Sequence, residues 1–163
     1  LALAWLVGLA TQDARCGGVL PDPAPRSCTL EQVLDGDSLL LRCRGESVEV
    51  RLHCIDAPEH GQVPWDRQSR RHLRGLATPR LELIELERDR FARTVGDVYT
   101  TGPERRLLNL EQVASGNAAV YRRYCTDPRF DRAEGEARNA RLGIWSKPGE
   151  QQTPWVYRHR GRP

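Results

Sequence analysis

The stretch from Asp35 to Glu59 holds the residues of this chain best suited to chemistry. It reads Asp35-Gly36-Asp37-Ser38 and, a hairpin later, Arg51-Leu52-His53-Cys54-Ile55-Asp56-Ala57-Pro58-Glu59. Asp37, Asp56 and Glu59 offer oxygen only, which is what a hard cation such as Ca²⁺ prefers. Arg51 offers a planar fork that can grip a phosphate through parallel hydrogen bonds. A phosphodiester is anionic and resists attack by hydroxide. A cation beside its non-bridging oxygens offsets that repulsion and helps to generate the nucleophile, and guanidinium groups take up the charge that develops at phosphorus. Carboxylates and arginine at the ends of adjacent strands therefore suggest metal-assisted phosphodiester chemistry. Zinc chemistry finds no support, because His53, His60, His72 and His159 are scattered and no Cys/His arrangement has ligand spacing.

Taken singly, each of these residues has an ordinary reading. Asp35-Gly36-Asp37 is a common hairpin turn, and Asp37 alone reads more readily as a turn residue than as a ligand. Arg51 could pair with a neighbouring strand. Charge does not decide the matter, since the net charge is only +3. Its distribution says more. Lys147 is the sole lysine among 25 basic residues, so the positive charge is almost entirely arginine, which suits phosphate recognition but also an ordinary solvated surface.

The elements that must position these groups read as strands first. Residues 29–34, 37–43 and 47–55 alternate as strands, with turns at Asp35-Gly36 and at Arg44-Gly45-Glu46. In the third, Val48, Val50, Leu52 and Cys54 form the apolar row, which puts Arg51 on the opposite face. A helix is expected over 66–77, a second hairpin from Leu81–Glu87 and Arg93–Thr100, and a helix from about Glu104 to Ser115, ending at Gly116. A last helix follows Asp127-Pro128 and stops at Gly143. Five strands with about three α-helices define an α+β chain and fit a small Greek-key barrel of the oligonucleotide-binding type.

The pair Asp-Gly-Asp-[Ser/Thr] and Arg-Leu-x-x-Ile-Asp-Ala-Pro-Glu resembles the signature of the staphylococcal (thermonuclease-type) nucleases. The likeness runs from about Leu30 to Trp145 in the family's order. It takes in Asp89-Arg90-Phe91-Ala92-Arg93, Gly116-Asn-Ala-Ala-Val-Tyr-Arg-Arg-Tyr124 and Ala140-Arg-Leu-Gly-Ile-Trp-Ser146. The resemblance implies Ca²⁺-dependent hydrolysis of DNA and RNA. Asp37, Asp56 and the carbonyl of Ala57 would ligate the ion, and Glu59 would hold or deprotonate the attacking water. Arg51 and Arg93 would grip the phosphate. Arg90, Phe91, Tyr121 and Tyr124 would contact substrate, although the two tyrosines could equally be core aromatics with a polar handle. Three departures stand out, one of them the short loop after Glu59 (His60 to Asp66). Phe91 takes the place of a family tyrosine and lacks its hydroxyl, and Ala92 takes the place of a glycine. A barrel of this fold that binds nucleic acid or protein without cutting is the alternative, since fold alone does not prove activity. Such a barrel would be expected to lack one of Asp37, Arg51, Asp56, Glu59 or Arg93. All are present.

The remaining signals concern location. Leu1 to Ala10 is continuously apolar, too short to span a bilayer comfortably, and resembles the core of an export signal; a membrane anchor and a buried helix end are the other readings. We divide the chain into a leader (1–15), a Gly/Pro-rich linker (16–27), the nuclease-like domain (28–147) and a basic tail (148–163). Five cysteines fit an oxidising compartment. Counting outward from the first turn puts Cys28 opposite Cys43, and Cys54 could bridge Cys125, leaving Cys16 over; buried free thiols are the alternative. Once a leader is removed no membrane span is expected, no stable protein partner is implied, and a monomer acting on DNA and RNA is the expectation.

Overall fold

The computed structural model describes residues 24–160, so the leader, most of the linker and Cys16 lie outside the described residues. Strands β1 (Arg26–Val33), β2 (Ser38–Cys43) and β3 (Glu46–Leu52) form a meander, and β5 (Arg80–Arg88) and β6 (Thr94–Thr100) form a hairpin. They close in the order β1-β2-β3-β6-β5, with β5 pairing back onto β1. This is the expected five-stranded barrel. The short strands β4 (Ile55–Asp56) and β7 (Ala119–Val120) pair separately beside it. Among the described residues there are four α-helices: α1 (Trp65–Leu76), α2 (Leu108–Ala114), α3 (Pro128–Asn139) and α4 (Pro154–Arg160). None of the described helices is long and apolar enough to cross a membrane.

The alternation read from the sequence is what closes the barrel. Leu39, Leu41, Val50, Leu52, Leu81, Leu83 and Val98 are all buried in one core. A second, smaller cluster of Ala119, Ala137, Ile144 and Trp145 receives Trp65 and Trp155 from outside. Arg44 and Gly45 both take positive φ in the β2–β3 turn, the backbone that a two-residue hairpin demands.

Several boundaries differ from expectation, each for a local reason. The third strand stops at Leu52 instead of residue 55, because Cys54 turns the chain at φ 71° and Ile55–Asp56 leave to pair with β7. The helix expected from Glu104 begins only at Leu108. Residues before it stay extended against β6, where the Thr100 N–H donates to the Arg106 carbonyl (2.9 Å) and Leu107 bridges to Tyr99. The helix α3 starts where expected, since Asp127 caps it by accepting from the Arg129 N–H (2.9 Å) with Pro128 in the first turn. It ends at Asn139, four residues short of Gly143.

Both expected disulfides are formed. Cys28 and Cys43 are direct partners across β1 and β2, and Cys54 joins Cys125 over 71 residues. Two such bridges mark a chain that matures in an oxidising, extracytoplasmic setting.

Candidate active site

The carboxylates come from two backbone features. The first is the loop joining β1 to β2. Gly36 presses so closely on α1 that an added Cβ would lie 2.0 Å from Ser69 Oγ, and its carbonyl accepts from Gln112 Nε2 of α2 at 2.6 Å. The glycine is therefore required by this close approach, and the two helices clamp the loop that presents Asp37. The second is the turn at Cys54, which brings Asp56 beside that loop. The Ala57 N–H donates to Asp37 Oδ2 (2.8 Å), and the Leu52 N–H donates to the Asp37 carbonyl (2.8 Å).

Asp37 and Asp56 are both buried, Asp56 completely. Arg51 joins them, with Nη1 on Asp37 Oδ1 (3.3 Å) and Nη2 on Asp56 Oδ1 (2.5 Å). The two acids do not titrate alike. Burial opposes ionisation of Asp37, yet the Arg51 guanidinium, the Ala57 N–H and the Ser38 hydroxyl outweigh it and hold the carboxyl below its ordinary range. Burial and then the neighbouring Asp37 charge push Asp56 up to about 6, against the pull of two arginines. One oxygen of this buried group, Asp56 Oδ2, has no hydrogen-bond partner.

The second of those arginines comes from residues 148–163, where the sequence predicts only a basic tail. Arg158, on α4, donates through Nε to Glu59 Oε1 (2.6 Å) and through Nη2 to Asp56 Oδ1 (2.5 Å). Two guanidiniums thus converge on one carboxylate oxygen. The same helix lays Trp155 face to face on Tyr121, with ring centroids 5.4 Å apart and planes inclined by 7°. A signal for α4 exists in the sequence: Pro154 at a helix start, with Trp155 and Arg158 three residues apart on one face.

Arg93 lies on the same cleft but in a different setting. In the parallel pairing of β3 with β6, Val50 faces Thr94 and Arg51 faces Val95. This puts Glu49, Arg51 and Arg93 on the cleft side of the pair while Val50 and Thr94 face the core. Arg93 pairs with Asp89 through Nε (2.8 Å) and Nη2 (2.7 Å) and comes within 4.0 Å of Glu49. It makes no contact with Asp37, Asp56 or Glu59. Ala92 adopts φ 64°, so the backbone keeps the conformation a glycine would take there. Asp89 Oδ1 holds that turn by accepting from the N–H groups of Phe91 (2.9 Å) and Arg93 (3.0 Å). Phe91 is exposed, with the Arg90 guanidinium 4.8 Å from its ring centre. Tyr124 is also exposed and meets Tyr121 edge-on at 5.0 Å, and its carbonyl contacts His53 Nε2 at 2.9 Å.

These groups line one cleft of about 950 Å³, with Asp37, Arg51 and Glu59 on one side, Arg90, Phe91 and Arg93 on another, and Tyr121, Tyr124 and Arg158 closing it. Among the described residues no three His, Cys, Asp or Glu side chains converge as a ready-made metal cage. Arg51 and Arg158 take oxygens such a cage would use. The donor set is nonetheless oxygen-only, and a buried carboxylate oxygen without a partner is costly unless something positive satisfies it.

A closed five-stranded barrel of the oligonucleotide-binding type, carrying acids and arginines in one cleft, defines the class of this protein. The chain belongs to the staphylococcal nuclease homologue family, which it matches over residues 49–147. It is 37% identical over 135 residues to a micrococcal nuclease of Shigella flexneri, covering 78% of this chain and 77% of that one. It is 35% identical over 130 residues to an uncharacterized endonuclease of Escherichia coli O157:H7 (79% and 82%), and 36% identical over 136 residues to the protein ParB of Escherichia coli (78% and 76%).

Proposed function

We propose that this protein is an exported, Ca²⁺-dependent nuclease that hydrolyses phosphodiester bonds of DNA and RNA with little sequence preference. The observation that carries the reading is the fully buried Asp56, whose Oδ2 has no partner, bonded to the Arg51 that lines, with Asp37, the cleft of a nuclease-family barrel. Asp37, Asp56 and the Ala57 carbonyl would hold the ion. When bound, Ca²⁺ supplies positive charge at the phosphate oxygens and favours ionised water. Glu59 takes the proton of the attacking water. Arg51, fixed between two carboxylates, presents its fork to the phosphate and stabilises the charge that builds as phosphorus gains a fifth oxygen. Arg93 approaches from the neighbouring strand of the same face. Arg90, Phe91, Tyr121 and Tyr124 offer ring faces and a cation to the nucleotides on either side. The relatives called micrococcal nuclease and endonuclease support the same class of reaction.

The deciding experiment digests single- and double-stranded DNA and RNA with Ca²⁺, with Mg²⁺ and with chelator. Cleavage with Ca²⁺, little with Mg²⁺ (which demands a smaller, regular octahedron) and none with chelator is expected. Full activity in chelator would remove the metal assignment. Binding without cleavage under every condition would favour the non-catalytic barrel.

A further inference from the structure

The family match ends at residue 147, yet a side chain from residue 158 lies at the centre of the site. Arg158 is half-buried, and it bonds two of the three acids on which the proposed chemistry depends. A carboxylate that accepts from a guanidinium is less available to a cation. The charge count points the same way. Asp37, Asp56 and Glu59 bring three negative charges, and Arg51 and Arg158 together return two.

The segment carrying Arg158 is built like a cantilever. Its root is fixed. Gln151 donates to the carbonyls of Ile144 (3.2 Å) and Lys147 (2.7 Å), Pro154 is buried, and Trp155 packs on the Ile144–Trp145 cluster and stacks on Tyr121. Beyond Trp155 the helix presents Val156, His159 and Arg160 to solvent, with an exposed ion pair from Arg160 to Glu150. Its hold on the cleft is Arg158, with the Tyr157 hydroxyl lying against Gly61.

We propose that α4 is a strap whose Arg158 holds the place of the cation, so that metal binding and docking of the strap oppose one another. This rests on reading Asp37, Asp56 and Glu59 as the metal and water site. Arg158 neutralises the acids while no ion is bound. An arriving ion competes with it for Asp56 and frees Glu59 from its guanidinium partner. Linkage makes the effect reciprocal: the factor by which Arg158 weakens Ca²⁺ binding equals the factor by which Ca²⁺ weakens the docking of α4.

The test is Ca²⁺ titration by calorimetry of the wild-type protein, Arg158→Ala and Arg158→Gln, joined to amide hydrogen exchange over residues 156–160 of the wild type with and without Ca²⁺. Both substitutions are expected to tighten Ca²⁺ binding about tenfold, within the usual span of coupling between sites. Ca²⁺ is expected to speed exchange in 156–160 while Trp155 and the barrel keep their protection. Equal or weaker Ca²⁺ binding in both variants, with the wild type still binding, overturns the strap and leaves the metal site standing. Exchange in 156–160 that Ca²⁺ does not change overturns it too, and that measurement needs no variant to fold. An absence of Ca²⁺ binding in all three proteins overturns the metal site and the strap with it.

Discussion

The two long walls of the cleft are held by opposite means. The wall of Asp37 and Arg51, backed by the buried Asp56, is part of the molecule's interior. Its acids are buried, its loop is clamped by α1 and α2 through Gly36, and its arginine sits between two carboxylates. The wall of Asp89 to Arg93 is a surface turn. One aspartate organises it, an alanine sits in a glycine's conformation, and Phe91 stands exposed at its tip. A buried, paired site cannot change one member without stranding another. A surface turn can change its tip freely so long as its capping carboxylate remains.

The comparison is tested most severely by changes on the buried wall. Glu59→Gln keeps size and hydrogen bonding but removes the base. It is expected to slow cleavage by about 10²–10⁴ while leaving the urea midpoint close to that of the wild type. Side-by-side cleavage and binding on one oligonucleotide at fixed salt checks this, and an unchanged rate would reject Glu59 as base. Arg51→Lys keeps charge but loses the fork, and a loss of about 10²–10³ in rate is expected. Arg93→Ala, on the surface wall, should cost less than Arg51→Lys. Kinetics that reverse this order would break the distinction between the walls.

The bridge between regions comes next. Cys54 lies two residues before Asp56, and Cys125 directly follows Tyr124. The bridge closes 71 residues, and the double substitution Cys54→Ser/Cys125→Ser is expected to cost about 4 kcal/mol on the chain-entropy account. Urea unfolding reads it, and a loss below about 1 kcal/mol would show that the sheet contacts alone hold these parts together.

A smaller effect is expected from pH. Asp56, fully buried, has a folded pKa raised to about 6. Protonation therefore favours the folded state: the contribution is complete below the unfolded value near 4 and is lost as pH rises through 6. His53 is shifted up as well, chiefly by its hydrogen bond to Asp97, and acts in the same direction. Asp37 is shifted down, so its opposing contribution is lost only at lower pH. Asp35 is pushed up to about 7 by desolvation and the Asp37 charge and acts in the same direction. In chelator, stability should rise as pH falls from 7 to 5, by about 1 kcal/mol from Asp56 alone. A fall over that interval in urea titrations would contradict the burial of Asp56. The smallest change concerns the surface wall, where Ala92→Gly should stabilise by about 0.5 kcal/mol, relief of the left-handed backbone being partly offset by the entropy of glycine in the unfolded chain.

What the sequence made legible follows contact range. The barrel could be read because apolar alternation is local, and Asp37, Arg51, Asp56 and Glu59 could be read because they lie within 25 residues on consecutive elements. Cys28 and Cys43 could be paired by counting along one hairpin. Arg158 could not be reached in this way. It meets Glu59 across 99 residues and Asp56 across 102, and nothing in a basic stretch says which guanidinium turns inward. The early end of β3 was hidden for a related reason. Cys54 continues the alternation of Val50 and Leu52, and only its bridge and the pairing of Ile55–Asp56 with β7 reveal the turn. The late start of α2 was hidden because Thr100 captures Arg106, a contact that helical periodicity does not contain.

The link from Cys54 to Cys125 also has a bearing on when the two sides of the cleft become tied. One end adjoins the strand that carries Asp56, and the other adjoins the aromatic side at Tyr124. A newly made chain with free thiols has both sides in its sequence but no covalent tie between them. The covalent tie is thus added by oxidation, in a place where thiols can be oxidised, to parts that the pairing of β4 with β7 already brings together.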